Sequence, residues 1–192
     1  MIEKRNGMIE KPYRLGLVVG RFQVLHMGHA DMIRQGLQLC DRLCVLLGSS
    51  QECGTENNPI SYEQRLDMLR AVFPEKEMLM FPLPDAGLGN NELWGQYVLN
   101  KCREYTGEMP DLVLSGKEQR REYWFTSKEG IRIAELRIPK AIPVSATAMR
   151  EALAKDDREG WQRYTPSALW DRYDFLRSAV LASQGNTHTD SI

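Results

Sequence analysis

Two of the chain's three histidines lie in one short stretch, Gly20-Arg21-Phe22-Gln23-Val24-Leu25-His26-Met27-Gly28-His29, spaced H-x-G-H. An apolar run with β-branched residues, Tyr13 to Gly20, precedes it and reads as a buried strand. An amphipathic stretch follows, from about Gly28 to Leu39, and reads as a helix. A strand-to-helix turn places these imidazoles beside a helix N-terminus, whose free N–H groups and positive dipole end attract anions. Gly28 lets the backbone approach a ligand without a Cβ in the way. With Arg21 beside it, the turn is a candidate polyphosphate site. The competing reading makes both histidines satisfied core or capping groups. For a lone histidine that reading would win. Two histidines flanking a glycine at such a turn favour the ligand.

A second cluster is Ser145-Ala146-Thr147-Ala148-Met149-Arg150. Ser145 and Thr147 can cap the following helix. They can equally donate to phosphate oxygens at that helix's N-terminus, where Arg150 adds a planar fork of donors. Alone, the cluster reads as a cap. Beside the histidine motif, it reads as a phosphate site.

The positioning elements follow from hydrophobic pattern and punctuation. Arg42 to Gly48 reads as a second buried strand, and Ser49 to Ile60 as a polar loop. Ser61 followed three residues on by Gln64 predicts a capping box opening a helix to about Phe73, closed by Pro74. Strands are expected at Met78 to Leu83, Asp111 to Ser115 and Arg132 to Ile138. Helices are expected at Leu93 to Tyr105, Thr147 to Leu153 and Pro166 to Ala182. Alternating strands and helices imply βαβ units. The expected fold is α/β, a Rossmann-like doubly wound, mainly parallel sheet with a short C-terminal helical extension. Its ligands belong at the carboxyl ends of the strands, just after Val19, Gly48 and Leu114. The expected layout is a flexible segment 1–12, the main domain 13–155, packed C-terminal helices 156–182 and a flexible tail 183–192.

The composition is ordinary for a globular chain of 192 residues, 42% hydrophobic and 27% charged. A net charge of −1 predicts neither nucleic-acid nor membrane binding, so a phosphate ligand needs a local basic cluster. No apolar run approaches the length of about 18 residues that a membrane-spanning helix needs. The N-terminus lacks the apolar core of a signal peptide. Cys40, Cys44, Cys53 and Cys102 form no C-x-x-C pair, which argues against both zinc and a disulfide framework. A cytoplasmic location is expected, with reduced thiols and with Cys40 and Cys44 partly in the core.

Together the two motifs make the chain resemble the nucleotidyltransferase superfamily marked by H-x-G-H and a later S-x-T-x-x-R. Within it, Gly20-Arg21-Phe22-Gln23 with His26-Met27-Gly28-His29 is similar to the start of archaeal-type nicotinamide-nucleotide adenylyltransferases. The resemblance continues through Gly48-Ser49-Ser50-Gln51, then Asn58-Pro59 with Glu63 and Arg65, and spans Leu15 to Arg150. The length predicts no fused Nudix domain, which some bacterial members carry. One departure is Val24, where the family usually has proline, which predicts a looser turn. The resemblance implies transfer of AMP from ATP to nicotinamide mononucleotide, giving NAD and pyrophosphate. It implies that His26, His29, Arg21 and Arg150 act on the phosphates in the reaction. It implies ATP contacts by Gly20, Phe22, Gln23, Gly28, Ser145 and Thr147; Ser115 and Gly116 are further candidate ATP contacts because they sit at a strand end, where the nucleotide belongs. Mg²⁺ is expected to arrive with ATP, held by its phosphates and by no protein ligand.

Asp85, Asn90, Asn91 and Trp94, just beyond the third expected strand, are the candidate acceptor contacts. The resemblance implies that an Asn and a Trp there hold nicotinamide. A pyridinium can stack on an indole face, although Trp94 reads equally well as a packing residue. Lys117, Arg120, Arg121 and Lys128 read as a solvated basic face. Trp161, Tyr164, Trp170 and Tyr173 read as core. The expected partners are ATP and nicotinamide mononucleotide, with no nucleic acid and no membrane; a homo-oligomer stays open. Two rivals remain. One is a superfamily enzyme with another phosphate acceptor, such as phosphopantetheine or, with CTP, glycerol phosphate. The other is a nucleotide sensor without turnover.

Overall fold

The computed structural model describes residues 10–74, 76–88, 91–116 and 132–185, with Asn91 placed by its backbone alone. Strand β1 (Tyr13–Gly20) leads through helix α1 (Met27–Leu39) directly into β2 (Cys40–Gly48). Helix α2 (Tyr62–Val72), β3 (Met78–Leu83), α3 (Asn91–Thr106) and β4 (Leu112–Ser115) follow. Then come β5 (Ala134–Arg137), α4 (Ala146–Ala154), α5 (Arg158–Arg163), a 3-10 turn (Ser167–Arg172) and α6 (Tyr173–Gly185).

The strands form one sheet in the order β3-β2-β1-β4-β5, with every described pairing parallel. The chain builds outward from β1 on one side, then returns to add β4 and β5 on the other. The order reverses between β1 and β4, which makes their carboxyl ends the switch point where such sheets bind ligands.

The period-2 alternation of strand side chains gives the sheet two buried faces. Val18, Leu43, Val45, Leu47, Leu112 and Leu114 point into a core shared with α1, α2 and the C-terminal helices. Leu15, Leu17, Cys44, Leu46 and Val113 point the other way, toward Val98, Leu99 and Cys102 of α3. This two-sided burial explains why the strands read as continuous apolar runs. Helix α1 lies close on the sheet because Gly36 faces it. A Cβ at position 36 would come within 2.8 Å of Leu43 Cδ1.

The capping box is present: Gln64 N–H donates to Ser61 Oγ at 3.3 Å, and Ser61 N–H donates to Gln64 Oε1 at 3.0 Å. The turn after β1 is well packed despite Val24, since Val24 and Leu25 are completely buried; the looseness expected there is not what this packing suggests. The C-terminal region departs from expectation. Helix α5 was not foreseen, because its six residues are too few to show a periodic apolar stripe; Asp157 caps it, accepting from Gly160 N–H at 2.9 Å. The single helix expected over 166–182 is instead a 3-10 turn followed by α6, which runs on to Gly185 with Ser183 buried. Trp161 and Tyr173 are core residues, their rings edge to face at 5.2 Å. Trp170 is not: it is 44% exposed, its indole N–H held by Thr165 O at 3.1 Å. Lys117, Arg120, Arg121 and Lys128 lie outside the described residues.

Candidate active site

The H-x-G-H turn is a helix cap. His26 occupies the N-cap of α1 with extended backbone (φ −136°, ψ 170°), and its Nδ1 accepts from His29 N–H at 3.3 Å. A neutral imidazole that accepts through Nδ1 carries its hydrogen on Nε2. The His26 ring is buried and stacks on the His29 ring, centroids 3.7 Å apart. Phe22 meets the outer edge of the pair, its ring 5.0 Å from that of His29. Burial, aided by the positive charge of Lys140, pushes the pKa of His26 down to about 4. Burial and the neighbouring His26 hold His29 well below the ordinary histidine value. Both rings are therefore neutral at pH 7. They act as hydrogen-bonding groups rather than as charges. Nδ1 of His29 is a buried atom without a hydrogen-bond partner in the described chain. Gly28 is needed beside these rings, since a Cβ there would stand 3.2 Å from both Cε1 and Nδ1 of His26.

The second motif is also a cap. Ser145 is the N-cap of α4 and its Oγ accepts from Ala148 N–H at 3.1 Å. A hydroxyl that accepts still has its proton to donate. Capping and phosphate contact, set against each other in the sequence, are thus compatible. Arg150 joins the two motifs: Nη1 donates to Gln23 O at 2.6 Å, and Nη2 donates to Thr147 Oγ1 at 3.4 Å. Burial lowers the Arg150 pKa, and the nearby cation of Arg21 lowers it further. Arg21 itself is exposed. The like charge of Arg21 near Arg150 favours an anion at this place.

Beside the two caps lies a cavity of about 280 Å³. His26, Gly28 and His29 border it on one side, with Asp31 and Met32 of α1; the β5–α4 connection closes the other with apolar residues such as Ile138 and Ile142. Lys140 stands on that connection, and Gly116 lies at the end of β4. An apolar slot opening onto phosphate-type donors suits a nucleoside attached to phosphates.

The structure therefore brings His26, Gly28, His29 and Gly116 to one cavity, with Ser145, Thr147 and Arg150 on the cap beside it. Other candidates lie differently. Phe22 and Gln23 are buried, and both ends of the Gln23 amide bond the backbone of Ile60, at 2.7 and 3.0 Å. Gly20 sits beneath the Phe22 ring. Ser115 is buried, and its carbonyl accepts from Ile138 N–H at 2.8 Å. None of these four borders the cavity. Asp85 is exposed at the end of β3, and its N–H donates to Gln51 Oε1 at 3.0 Å. Trp94 is half-buried against the α3 core, beside Tyr97 at 5.6 Å. Neither borders the cavity next to His26. They mark a separate region, along the β2 and β3 ends. Asn91 begins α3, and Asn90 lies outside the described residues.

Sequence reasoning did not single out Lys140 and Asp31 as cavity residues, because an exposed Lys in a loop and an Asp on a helix carry no distinguishing pattern. It named Arg65 only within a motif and did not expect its burial. The signal was available: Arg65, Met68 and Leu69 form the buried stripe of α2, and a charged residue inside an apolar stripe needs an explanation. Among the described residues no group of three His, Cys, Asp or Glu side chains stands close enough to hold a metal ion. No described helix is long and apolar enough to cross a membrane.

Comparison with known proteins agrees with this geometry. Residues 17–152 match the family model described as cytidylyltransferase-like. The chain is 38% identical over 88 residues to a nicotinamide-nucleotide adenylyltransferase of Saccharolobus solfataricus, covering 43% of this chain and 50% of that protein. It is 31% identical over 153 residues to one of Aeropyrum pernix, covering 76% of this chain and 82% of that protein. Among solved structures, it is similar to a bifunctional NMN adenylyltransferase/ADP ribose pyrophosphatase of Francisella tularensis, in complex with AMP and a Mn ion. That match has a TM-score of 0.69 at 18% identity and covers 92% of this chain but 53% of the other.

Proposed function

The chain belongs to the cytidylyltransferase-like family of nucleotidyltransferases, and from that premise we propose that it transfers AMP from ATP to nicotinamide mononucleotide, releasing pyrophosphate and forming NAD. The observation that carries the reading is a cavity at the capped N-terminus of α1, lined by two neutral histidines, with the capped N-terminus of α4 beside it and Arg150 joining the two motifs. Two archaeal relatives named for this activity align with the chain, one of them over 82% of its length.

The adenosine of ATP enters the apolar cavity, and its phosphates run along the caps. The N-termini of α1 and α4 supply backbone N–H groups and positive dipole ends to them. His26 donates through Nε2, Ser145 through its hydroxyl, and Arg21 and Arg150 supply charge. The polyphosphate relieves the repulsion between those two guanidinium groups. Nicotinamide mononucleotide binds toward the β2 and β3 ends, near Asp85, Asn91 and Trp94. One of its phosphate oxygens attacks the α-phosphorus in line, a P–O bond forms, and the bond to pyrophosphate breaks.

No protein nucleophile takes part. No general base is required either, because a phosphate monoester with its second pKa near 6 is already mostly dianionic at pH 7. Catalysis then comes from positioning and from donors aimed at the charge that builds on the α-phosphoryl and leaving oxygens. The donor set of imidazoles, hydroxyls and guanidinium groups suits phosphate rather than a divalent cation. Mg²⁺ would therefore arrive bound to ATP, held by no protein ligand, and would offset charge on the leaving pyrophosphate. We place the protein in the cytoplasm.

A panel of acceptors tests the reading. With ATP and Mg²⁺, pyrophosphate should appear only when nicotinamide mononucleotide or its acid analogue is added. Release driven by phosphopantetheine alone, or by CTP with glycerol phosphate, would replace the acceptor and keep the fold. Tight ATP binding without turnover on any acceptor would favour a sensor.

A further inference from the structure

Arg65 is withdrawn completely from solvent. The described residues supply it no ion pair within 4.0 Å. Its guanidinium instead donates to four backbone carbonyls: Nε to Ser61 O at 3.2 Å, Nη1 to Arg21 O at 2.9 Å and Gly48 O at 2.7 Å, and Nη2 to Ser49 O at 3.1 Å. A buried cation without a counter-ion is a poor way to stabilise a fold, and an apolar residue of similar size would usually serve as well or better. What this one gains is geometric. Parallel pairing between β1 and β2 ends at Gly20 opposite Leu47. Beyond that point β1 and β2 no longer pair with each other, although Gly48 still pairs with Leu83 of β3. Arg65 spans the two ends, taking Arg21 from the β1 side and Gly48 and Ser49 from the β2 side. Ser49 lies in the left-handed region at φ 48°, a conformation that a non-glycine residue keeps only when its surroundings fix it. The stem of Arg21 lies across Gly48: a Cβ at position 48 would be 3.6 Å from Arg21 Cγ.

We propose that Arg65 is a positioning residue, holding the ends of β1 and β2 so that the Arg21 side chain is aimed at the phosphates. The proposal rests on the adenylyl-transfer reading. Lysine at 65 keeps the charge, but a single ammonium cannot reach both strand ends as a planar fork does.

A double-mutant cycle tests it, with Arg65→Lys, Arg21→Ala and the double variant. Each is followed by thermal melts, by kcat and KM, and by calorimetric MgATP binding. Arg65→Lys should lower kcat/KM by on the order of 10- to 100-fold. If Arg65 acts through Arg21, the double variant loses no more than about threefold beyond Arg21→Ala alone. Independent sites add in free energy to within about twofold, so a loss equal to the product of the two single losses overturns the proposal. So does an Arg65→Lys variant within threefold of the parent, or an Arg21→Ala variant of full activity. If Arg65→Lys does not fold, Arg65→Gln takes its place in the cycle; if neither folds, Arg65 is a global support and the proposal falls. A parent protein that makes no NAD would instead refute the acceptor assignment, and the same cycle in MgATP affinity would still decide Arg65.

Discussion

Lowering the pH from 7.5 to 5 should destabilise the ligand-free protein by an amount that the two buried histidines set, of which the share of His26 can be worked out. The ring is buried, with its Nδ1 bonded to the His29 N–H and Lys140 nearby. Its folded pKa of about 4 lies below the ordinary 6.5. Between these values the unfolded chain binds a proton that the native ring refuses. Stability therefore rises with pH through this window: the contribution is full above 6.5 and is lost as pH falls toward 4. At about 1.36 kcal/mol per pH unit of gap, the whole window is worth on the order of 3 kcal/mol. By pH 5 about 2 kcal/mol of it is gone. His29, shifted in the same direction, adds to the effect. For a chain of this size 2 kcal/mol corresponds to a fall in Tm of roughly 4–8 °C. Scanning calorimetry across pH 5–7.5 on the parent and on His26→Asn isolates the term, because asparagine keeps the N-cap and cannot titrate. The variant should lose about half of this slope, the part that His26 supplies, and keep the part that His29 supplies. Equal slopes in the two proteins, or a His26 ring that titrates by NMR near 6.5, would refute the reasoning.

Three further outcomes are expected. His29→Ala should lower kcat by about 10²–10³-fold while the fold survives, with His29→Asn recovering part of the loss as a residual donor; a kcat within threefold of the parent removes His29 from the chemistry. Gly28→Ala gains helix propensity of about 0.5–1 kcal/mol, so its Tm should hold or rise, yet the new Cβ presses on His26 at 3.2 Å and turnover should fall by on the order of 10-fold or more; unchanged kinetics would show that the ring pair tolerates displacement. Trp94→Ala should raise KM for nicotinamide mononucleotide by several-fold to about thirtyfold and leave KM for ATP alone; an equal rise in both would make Trp94 a packing residue of α3.

The parts of the fold that follow from local rules were legible in the sequence. β1 and β3 are largely apolar and have the expected bounds, and the Ser61–Gln64 capping box opens α2 as its spacing requires. The H-x-G-H turn and Ser145 could be placed at helix N-termini because both motifs join a loop to an amphipathic stretch. What the sequence hid depends on tertiary contact. That Nδ1 of His26 is spent on a helix cap, leaving Nε2 as donor, requires the helix to exist. Gln23 belongs to the same motif as His26, yet its amide turns inward to Ile60, and no pattern distinguishes an inward from an outward glutamine. The C-terminal extension was the least legible. Its short α5 is held by the Asp157 cap and the Trp161–Tyr173 contact, and its 3-10 turn has no side-chain cap; neither carries an amphipathic stripe. Yet Tyr164 O accepts from Met27 N–H at 2.8 Å, so that extension buttresses the histidine turn directly.

The oxygens of the acceptor phosphate test the central claim most directly. Nicotinamide mononucleotide labelled with ¹⁸O in its terminal phosphate oxygens is incubated with the purified protein, ATP and Mg²⁺, and both products are analysed by mass spectrometry. Attack by the acceptor phosphate on the α-phosphorus of ATP should carry every labelled oxygen into NAD and none into pyrophosphate, with the two products formed in equal amounts. Label in the pyrophosphate, or pyrophosphate released without NAD, would contradict it.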